Sequence, residues 1–182
     1  MDFVSIVLQA IVEGITEFIP ISSTGHIILI QELTAFNFAQ KEFITVILQF
    51  SAILAAIFFF RKRILQISSE SIINLKRRNI KNDLGIWILL STIPILTLGY
   101  LFKDSIKIFQ ESGVLIGIMS IAFGILFYII EKLNYNSSYS TLGRIPKFLN
   151  IFLINISQAF AFIPGVSRSG ISISTGLLQK FN

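Results

Sequence analysis

An apolar run from Phe3 to Val12 leads into a polar stretch, Glu13 to His26, and a second apolar run begins at Ile27. The spacing predicts a helix over residues 3–18, broken by Pro20 and Gly25 inside the hydrophobic stretch and resumed over 27–33. Half a helix in, a polar turn and half a helix back make a re-entrant hairpin. Such backbone is tolerated at membrane depth only when buried in protein or lining a wet cavity. Phe43 to Phe60 is 18 residues without a charge, about 27 Å of helix and enough to cross a bilayer. Leu84 to Phe102 reads as a second span with a kink at Pro94. Gly113 to Ile130 reads as a third, and Phe148 to Pro164 is apolar again.

The polar segments between the spans set the topology. Residues 61–82 read as a loop, with Arg61, Lys62, Arg63, Lys76, Arg77, Arg78 and Lys81 placing it on the cytoplasmic side. The charge-balanced loop 103–112 is then outside, and 131–147, with Lys132, Arg144 and Lys147, is inside. Composition agrees: 53% of the 182 residues are hydrophobic and 14% charged, against about a quarter charged in a soluble domain. The chain reads as a multi-pass integral membrane protein. The net charge of +5 sits in these loops, with no aromatic-interleaved basic groove, so no nucleic acid is expected. The absence of Cys excludes disulfides, thiolate metal sites and Cys nucleophiles. Residues 1–40 contain no Lys or Arg, so the N-terminus lacks the positive region of a signal peptide.

Two stretches echo each other. Phe162-Ile163-Pro164-Gly165-Val166-Ser167-Arg168-Ser169-Gly170 repeats the order of Phe18-Ile19-Pro20-Ile21-Ser22-Ser23-Thr24-Gly25: Phe-Ile-Pro, a hydroxyl cluster, then Gly. Three spans separate them, so the first enters from outside and the second from the cytoplasm. Broken helices entering from opposite faces form an inverted repeat with a site near the bilayer midplane. The expected fold is an all-α membrane protein, an inverted-repeat helical bundle with two re-entrant hairpins, forming a single domain over 1–182. The first repeat covers about 1–102, with its hairpin at 3–35. A partial second repeat covers about 113–182, with its hairpin from 148.

The chemistry concentrates in these two turns. Glu13 and Glu17 lie four residues apart, on one helix face, and each costs roughly 2.5–3.5 kcal/mol in hydrocarbon if ionised. Hydroxyl-rich turns that open into a helix at a Gly make anion sites, because free amides and the helix dipole face the ligand. Here those groups are Ser22, Ser23, Thr24 and Gly25 in one turn and Ser167, Ser169 and Gly170 in the other. Arg168 offers a fork suited to phosphate oxygens. Glu13 and Glu17 can ligate a divalent cation, Mg²⁺ or Ca²⁺, that bridges phosphate oxygens. His26 is the acid/base group or nucleophile, and Ser23 the hydroxyl it could activate. Gln49 and Gln158 read as glue between helices. The residues thus suggest a phosphate-processing site inside a membrane, acting on a lipid phosphate.

Glu13-Gly-Ile-Thr-Glu17-Phe-Ile-Pro-Ile-Ser-Ser-Thr-Gly-His26 and Pro164-Gly-Val-Ser-Arg-Ser-Gly170 resemble the two signature stretches of the undecaprenyl-diphosphatase family of the bacitracin-resistance type. The resemblance implies hydrolysis of undecaprenyl diphosphate to the monophosphate and phosphate, recycling the lipid carrier of cell-wall synthesis and conferring bacitracin resistance. It implies an inner-membrane protein whose site opens to the periplasm, with a polyprenyl diphosphate lipid and the membrane as partners and a homodimer as a candidate assembly. By position, Glu13 and Glu17 match the metal-linked acidic pair, Ser23 and His26 the catalytic hydroxyl and His, and Arg168 the phosphate-holding Arg. Ser172 stands where a Thr is usual and keeps the hydroxyl. Relatives continue through further membrane segments that complete the second repeat, whereas this chain stops at Asn182, so truncation is expected. Two alternatives stay open: a lipid-phosphate transporter or flippase, and an inactive remnant of the phosphatase.

Overall fold

A computed structural model describes residues 3–33, 38–78, 80, 83–104, 106, 112–134 and 146–181. Its described elements are helices: α1 (Phe3–Thr16), α2 (Ser23–Glu32), α3 (Phe38–Phe59), α4 (Arg61–Lys76), α5 (Leu84–Leu101), α6 (Gly113–Asn134), α7 (Phe148–Ser157) and α8 (Arg168–Leu178), with a 3₁₀ segment over Gln158–Phe162 between the last two. Three of them are long and apolar enough to cross a membrane: Gln40–Phe59 within α3, Leu84–Leu101 and Gly113–Asn134. The protein is an all-α, multi-pass membrane protein.

α1 shows what lipid does to a helix. Its buried residues are Ser5, Gln9, Glu13 and Thr16, all polar, while Phe3, Val4, Leu8, Ile11 and Ile15 are exposed. Hydrocarbon solvates the apolar face, so the polar groups turn inward and must find partners there. Gln9 does so, accepting from Gln31 Nε2 at 2.9 Å across the hairpin, and Gln31 also reaches Thr45 Oγ1 on α3 at 3.0 Å. Beside these bonds Ile27, Ile44 and Leu48 form a small apolar core against which Ile6 packs.

The hairpins α1–α2 and α7–α8 are each closed by mutual packing of their two arms. α1 and α2 pack on α3, α2 also meets α6, α7 lies along α5, and α8 lies along α6. Trp87 on α5 meets the Phe148 ring edge-on at 6.4 Å between centroids. The Asn155 amide on α7 donates to the Ser91 hydroxyl on α5 and accepts from Gln158 Nε2 at 3.3 Å.

The expected boundaries need correction at several points. Residues 61–76 are not loop but helix α4. The segment has no Gly or Pro, and basic residues flank interspersed Ile and Leu, so it can lie along an interface that supplies both environments. α2 starts at Ser23 rather than at 27, because the Ser22 hydroxyl caps it and lets the helix begin in the polar turn. α6 runs on to Asn134. The apolar run from Phe148 tightens to 3₁₀ at Gln158 instead of staying α-helical to Pro164. Lys81, Arg144 and most of the 103–112 and 131–147 loops fall outside the described residues.

Candidate functional site

The two hairpin turns are built alike. Ser22 caps α2 in extended backbone and accepts from Gly25 N at 3.2 Å. Ser167 caps α8 in the same way and accepts from Gly170 N at 3.1 Å. The echo in the sequence is therefore a repeated cap, with Ser and Gly three residues apart. It puts Ser23 and Arg168 at the same place, the first residue of each second arm. There the amides of the first turn have no carbonyl within the helix to bond. The amides of Gly25 and Gly170, expected to face a ligand, instead close the caps.

A hydrogen-bond chain ties the turns together. Ser169 Oγ donates to Ile19 O at 3.0 Å, so the 3.0 Å contact between Ser167 and Ser169 must be a donation from Ser167, which in turn accepts from Gly170 N. Ser120 on α6 donates to Gly165 O at 3.2 Å and holds the second turn from behind. Gly165 itself has φ +93, and a Cβ there would collide with the Ile116 carbonyl. Glycine is needed for both reasons.

Glu17, Ser22, Ser23, Thr24, Ser167, Arg168 and Ser169 line one polar cleft between the turns. Residues 145 positions apart in the chain, Ser23 and Arg168, thus face the same space. Ser23 Oγ donates to Glu17 Oε2 at 2.6 Å, a short, charge-assisted bond. The cleft continues into a cavity of about 490 Å³ bordered by Gln31, Glu32, Lys41, Glu42 and Thr45. Gln49, expected to be glue, does donate to Thr24 Oγ1 at 3.3 Å, but it also lines both cleft and cavity. Its uncharged amide in an apolar helix was the signal for that second role.

Other expected residues sit differently. His26 is exposed, and its Nδ1 lies 2.7 Å from Ser22 O. A carbonyl can only accept, so Nδ1 is the donor in this contact. The group bonded to Ser23 is Glu17, not His26. Ser172 bonds the Arg168 carbonyl one turn back at 2.9 Å and is not among the groups lining the cleft. Glu13 is buried, close enough to feel the charges of Glu17 and Arg168. Among the described residues neither of its carboxylate oxygens has a hydrogen-bond partner. A buried carboxylate in that state is incomplete without a cation or further donors.

That incompleteness is the fit for a divalent cation: two orphaned oxygens on Glu13, with Glu17 four residues on. Among the described residues no cluster of three or more His, Asp or Glu surrounds them. The remaining ligands would be phosphate oxygens and water, a sphere that suits Mg²⁺ better than Ca²⁺.

Comparison with known proteins shows the family. The family described as bacitracin resistance protein BacA matches residues 6–182. The undecaprenyl-diphosphatase of Campylobacter fetus subsp. fetus is 38% identical, over 98% of this chain and 65% of its own length. The undecaprenyl-diphosphatase of Enterococcus faecalis is 35% identical, over 98% of this chain and 67% of its own. Undecaprenyl-diphosphatase 1 of Pseudoalteromonas translucida is 32% identical, over 100% and 68%. The chain spans about two thirds of the length of these relatives. With its paired caps, its shared cleft and a match running from residue 6 to 182, the chain belongs to the bacitracin resistance protein BacA family.

Proposed function

We propose that the protein hydrolyses undecaprenyl diphosphate to undecaprenyl phosphate and inorganic phosphate. The reading rests on one observation: Ser23, hydrogen-bonded to the Glu17 carboxylate, and Arg168 share a polar cleft formed by two hairpin turns. Ser23 Oγ attacks the terminal phosphorus and passes its proton to Glu17. The bond from that phosphorus to the bridging oxygen breaks, and undecaprenyl phosphate leaves. Water then attacks the phosphoserine while Glu17 returns its proton to Ser23 Oγ; the bond from phosphorus to Oγ breaks, inorganic phosphate leaves with both water protons and the Ser23 hydroxyl is restored. Arg168 and the first-turn amides of α2 and α8 hold the equatorial oxygens as charge develops on them. Glu13 and the second oxygen of Glu17 would hold Mg²⁺, which neutralises diphosphate charge when bound.

The membrane arrangement follows from counting crossings. α3, α5 and α6 make three, so the hairpin α7–α8 starts on the opposite face from α1–α2. Basic residues cluster in and after α4, which puts that end of α3 in the cytoplasm. The cavity beyond the cleft lies toward the other end of α3, where Lys41 and Glu42 sit, which supports a site open to the periplasm of an inner-membrane protein. The inverted repeat is the geometry this implies.

The test is phosphate release from undecaprenyl diphosphate in detergent with Mg²⁺, measured on the chain alone and joined to the remaining third of a relative. Arg168→Ala should lower kcat by about 10²–10³-fold, and Ser23→Ala by more. Full turnover in both variants would sink the reading.

A further inference from the structure

Helix α4 presents charge and hydrocarbon that the chemistry of the cleft leaves unused. Arg61, Lys62 and Arg63 stand at its start and Lys76, Arg77 and Arg78 at its end, about 22 Å apart along the axis. All six are exposed. Arg61 donates to the Phe58 carbonyl and Arg63 to Gln66 Oε1, and among the described residues no carboxylate pairs with any of the six. The helix has no buried residue, and Ile64, Leu65, Ile72 and Leu75 are all exposed. At 3.6 residues per turn these four share a flank about 100° wide. The rotation of that flank is fixed: Ser71 and Asn74 donate to Asp83, and Ile67 and Ser71 lie against Gly85 at the start of α5. The apolar flank continues the side that meets α5, while Lys62, Gln66, Glu70, Lys76 and Arg77 fall on the opposite side, with Ile73 the apolar exception among them.

We propose that α4 is a binding surface for anionic phospholipid, its basic ends taking head-group phosphates while Ile64, Leu65, Ile72 and Leu75 lie among the acyl chains. Position supports this. α4 joins α3 to α5, both long and apolar enough to cross the membrane, and packs on each, so its two ends stand at one face of the bilayer. Chemistry selects the partner. A nucleic acid or an acidic protein would answer the six cations and leave four aliphatic side chains in water. A zwitterionic bilayer would cover the flank and leave the cations without counter-charge. An anionic phospholipid supplies both from one molecule. Two basic ends about 22 Å apart are too far separated for one head group, so each end takes its own. This binding needs the spans and the fixed rotation of α4, and it stands whether or not the cleft hydrolyses a diphosphate.

The experiment places the full chain in phosphatidylcholine vesicles with a trace of spin-labelled lipid and measures, by electron paramagnetic resonance, how strongly labelled phosphatidylglycerol associates relative to labelled phosphatidylcholine. Wild type should prefer phosphatidylglycerol by about fivefold, the worth of one basic residue near an anionic surface, and lose most of that preference in about 1 M salt. Gln in place of Arg61, Lys62 and Arg63, or of Lys76, Arg77 and Arg78, should lower the preference in each case, whereas Lys103→Gln, beyond the far end of α5, should leave it unchanged. Equal association of the two lipids with wild type, or a preference that both triple variants retain, would overturn the proposal. If a triple variant fails to insert, the salt titration of wild type and the other triple variant read the same quantity. The orientation is tested separately with nitroxides on Ile72→Cys and Glu70→Cys, on opposite sides of α4. The label at 72 should collide more with dissolved oxygen than with a water-soluble nickel chelate, and the label at 70 the reverse. Both labels open to the chelate, as expected if α4 serves a nucleic acid or protein in water, would also overturn it.

Discussion

Glu13 and Ser23 are both expensive to bury, yet their neighbours treat them differently. Ser23 has a partner in Glu17, whereas the Glu13 carboxylate has none among the described residues. Replacing it by an uncharged isostere removes an uncompensated group. In metal-free detergent, Glu13→Gln should therefore stabilise the protein by about 1–3 kcal/mol and erase the rise in Tm that Mg²⁺ gives the wild type. Destabilisation with a retained Mg²⁺ response would count against Glu13 as a ligand. The nucleophile can be identified by the chemistry of its phosphate. With substrate labelled in the terminal phosphate, acid quenching during turnover should trap label on the chain as acid-stable phosphoserine, lost in Ser23→Ala. Acid-labile label, surviving in Ser23→Ala, would make His26 the nucleophile instead.

Among the elements, α4 depends on one carboxylate. Asp83 caps α5, accepting from Ile86 N at 2.9 Å, and holds α4 through Ser71 Oγ at 2.6 Å and Asn74 Nδ2 at 2.8 Å. Gly85 leaves room for that approach, since a Cβ there would strike the Ser71 hydroxyl. Burial by itself would raise the Asp83 pKa, but bonds from Ser71, Ile86, Asn74 and Gly85 outweigh it and hold the carboxyl below its usual value. A lowered folded pKa means that the ionised form stabilises the fold. The contribution is complete above the unfolded value of about 3.9 and is lost as pH falls through the folded one. Asp83→Ala should cost about 1–2 kcal/mol near neutral pH. The gap in Tm between wild type and variant should stay flat from about pH 7 to 5 and narrow in stronger acid. A gap that widens in acid would reverse the sign of this argument.

For the whole molecule the decisive property is which face each hairpin enters. Because the chain has no Cys, single substitutions report topology without background. Arg77→Cys should react with a membrane-impermeant thiol reagent only after cells are opened. Leu33→Cys, just beyond α2, should react in intact cells. Labelling of both from the same side would remove the odd number of crossings and, with it, the inverted repeat.

Periodicity and charge were enough for the three spans, the break in the first helix and the likeness of the two turns. All are local: a span needs only length and apolarity, and a cap needs only Ser and Gly three residues apart. The acidic pair, the hydroxyls and Arg168 also stood out, because charge inside an apolar stretch is legible without a fold. Pairing was not legible. That Ser23 bonds Glu17 while His26 turns to a carbonyl depends on how the first turn folds back on itself, and that Ser169 ties the turns and Arg168 shares a cleft with Ser23 depends on how hairpins more than a hundred residues apart dock. Helix α4 escaped for a related reason, since a charged segment between spans becomes a helix only where an interface and the Asp83 bonds hold it. The sequence by itself determined which groups enter the membrane. Only the tertiary structure decided which of them meet, because contact energies act over a few ångströms and the chain does not carry that distance in its order.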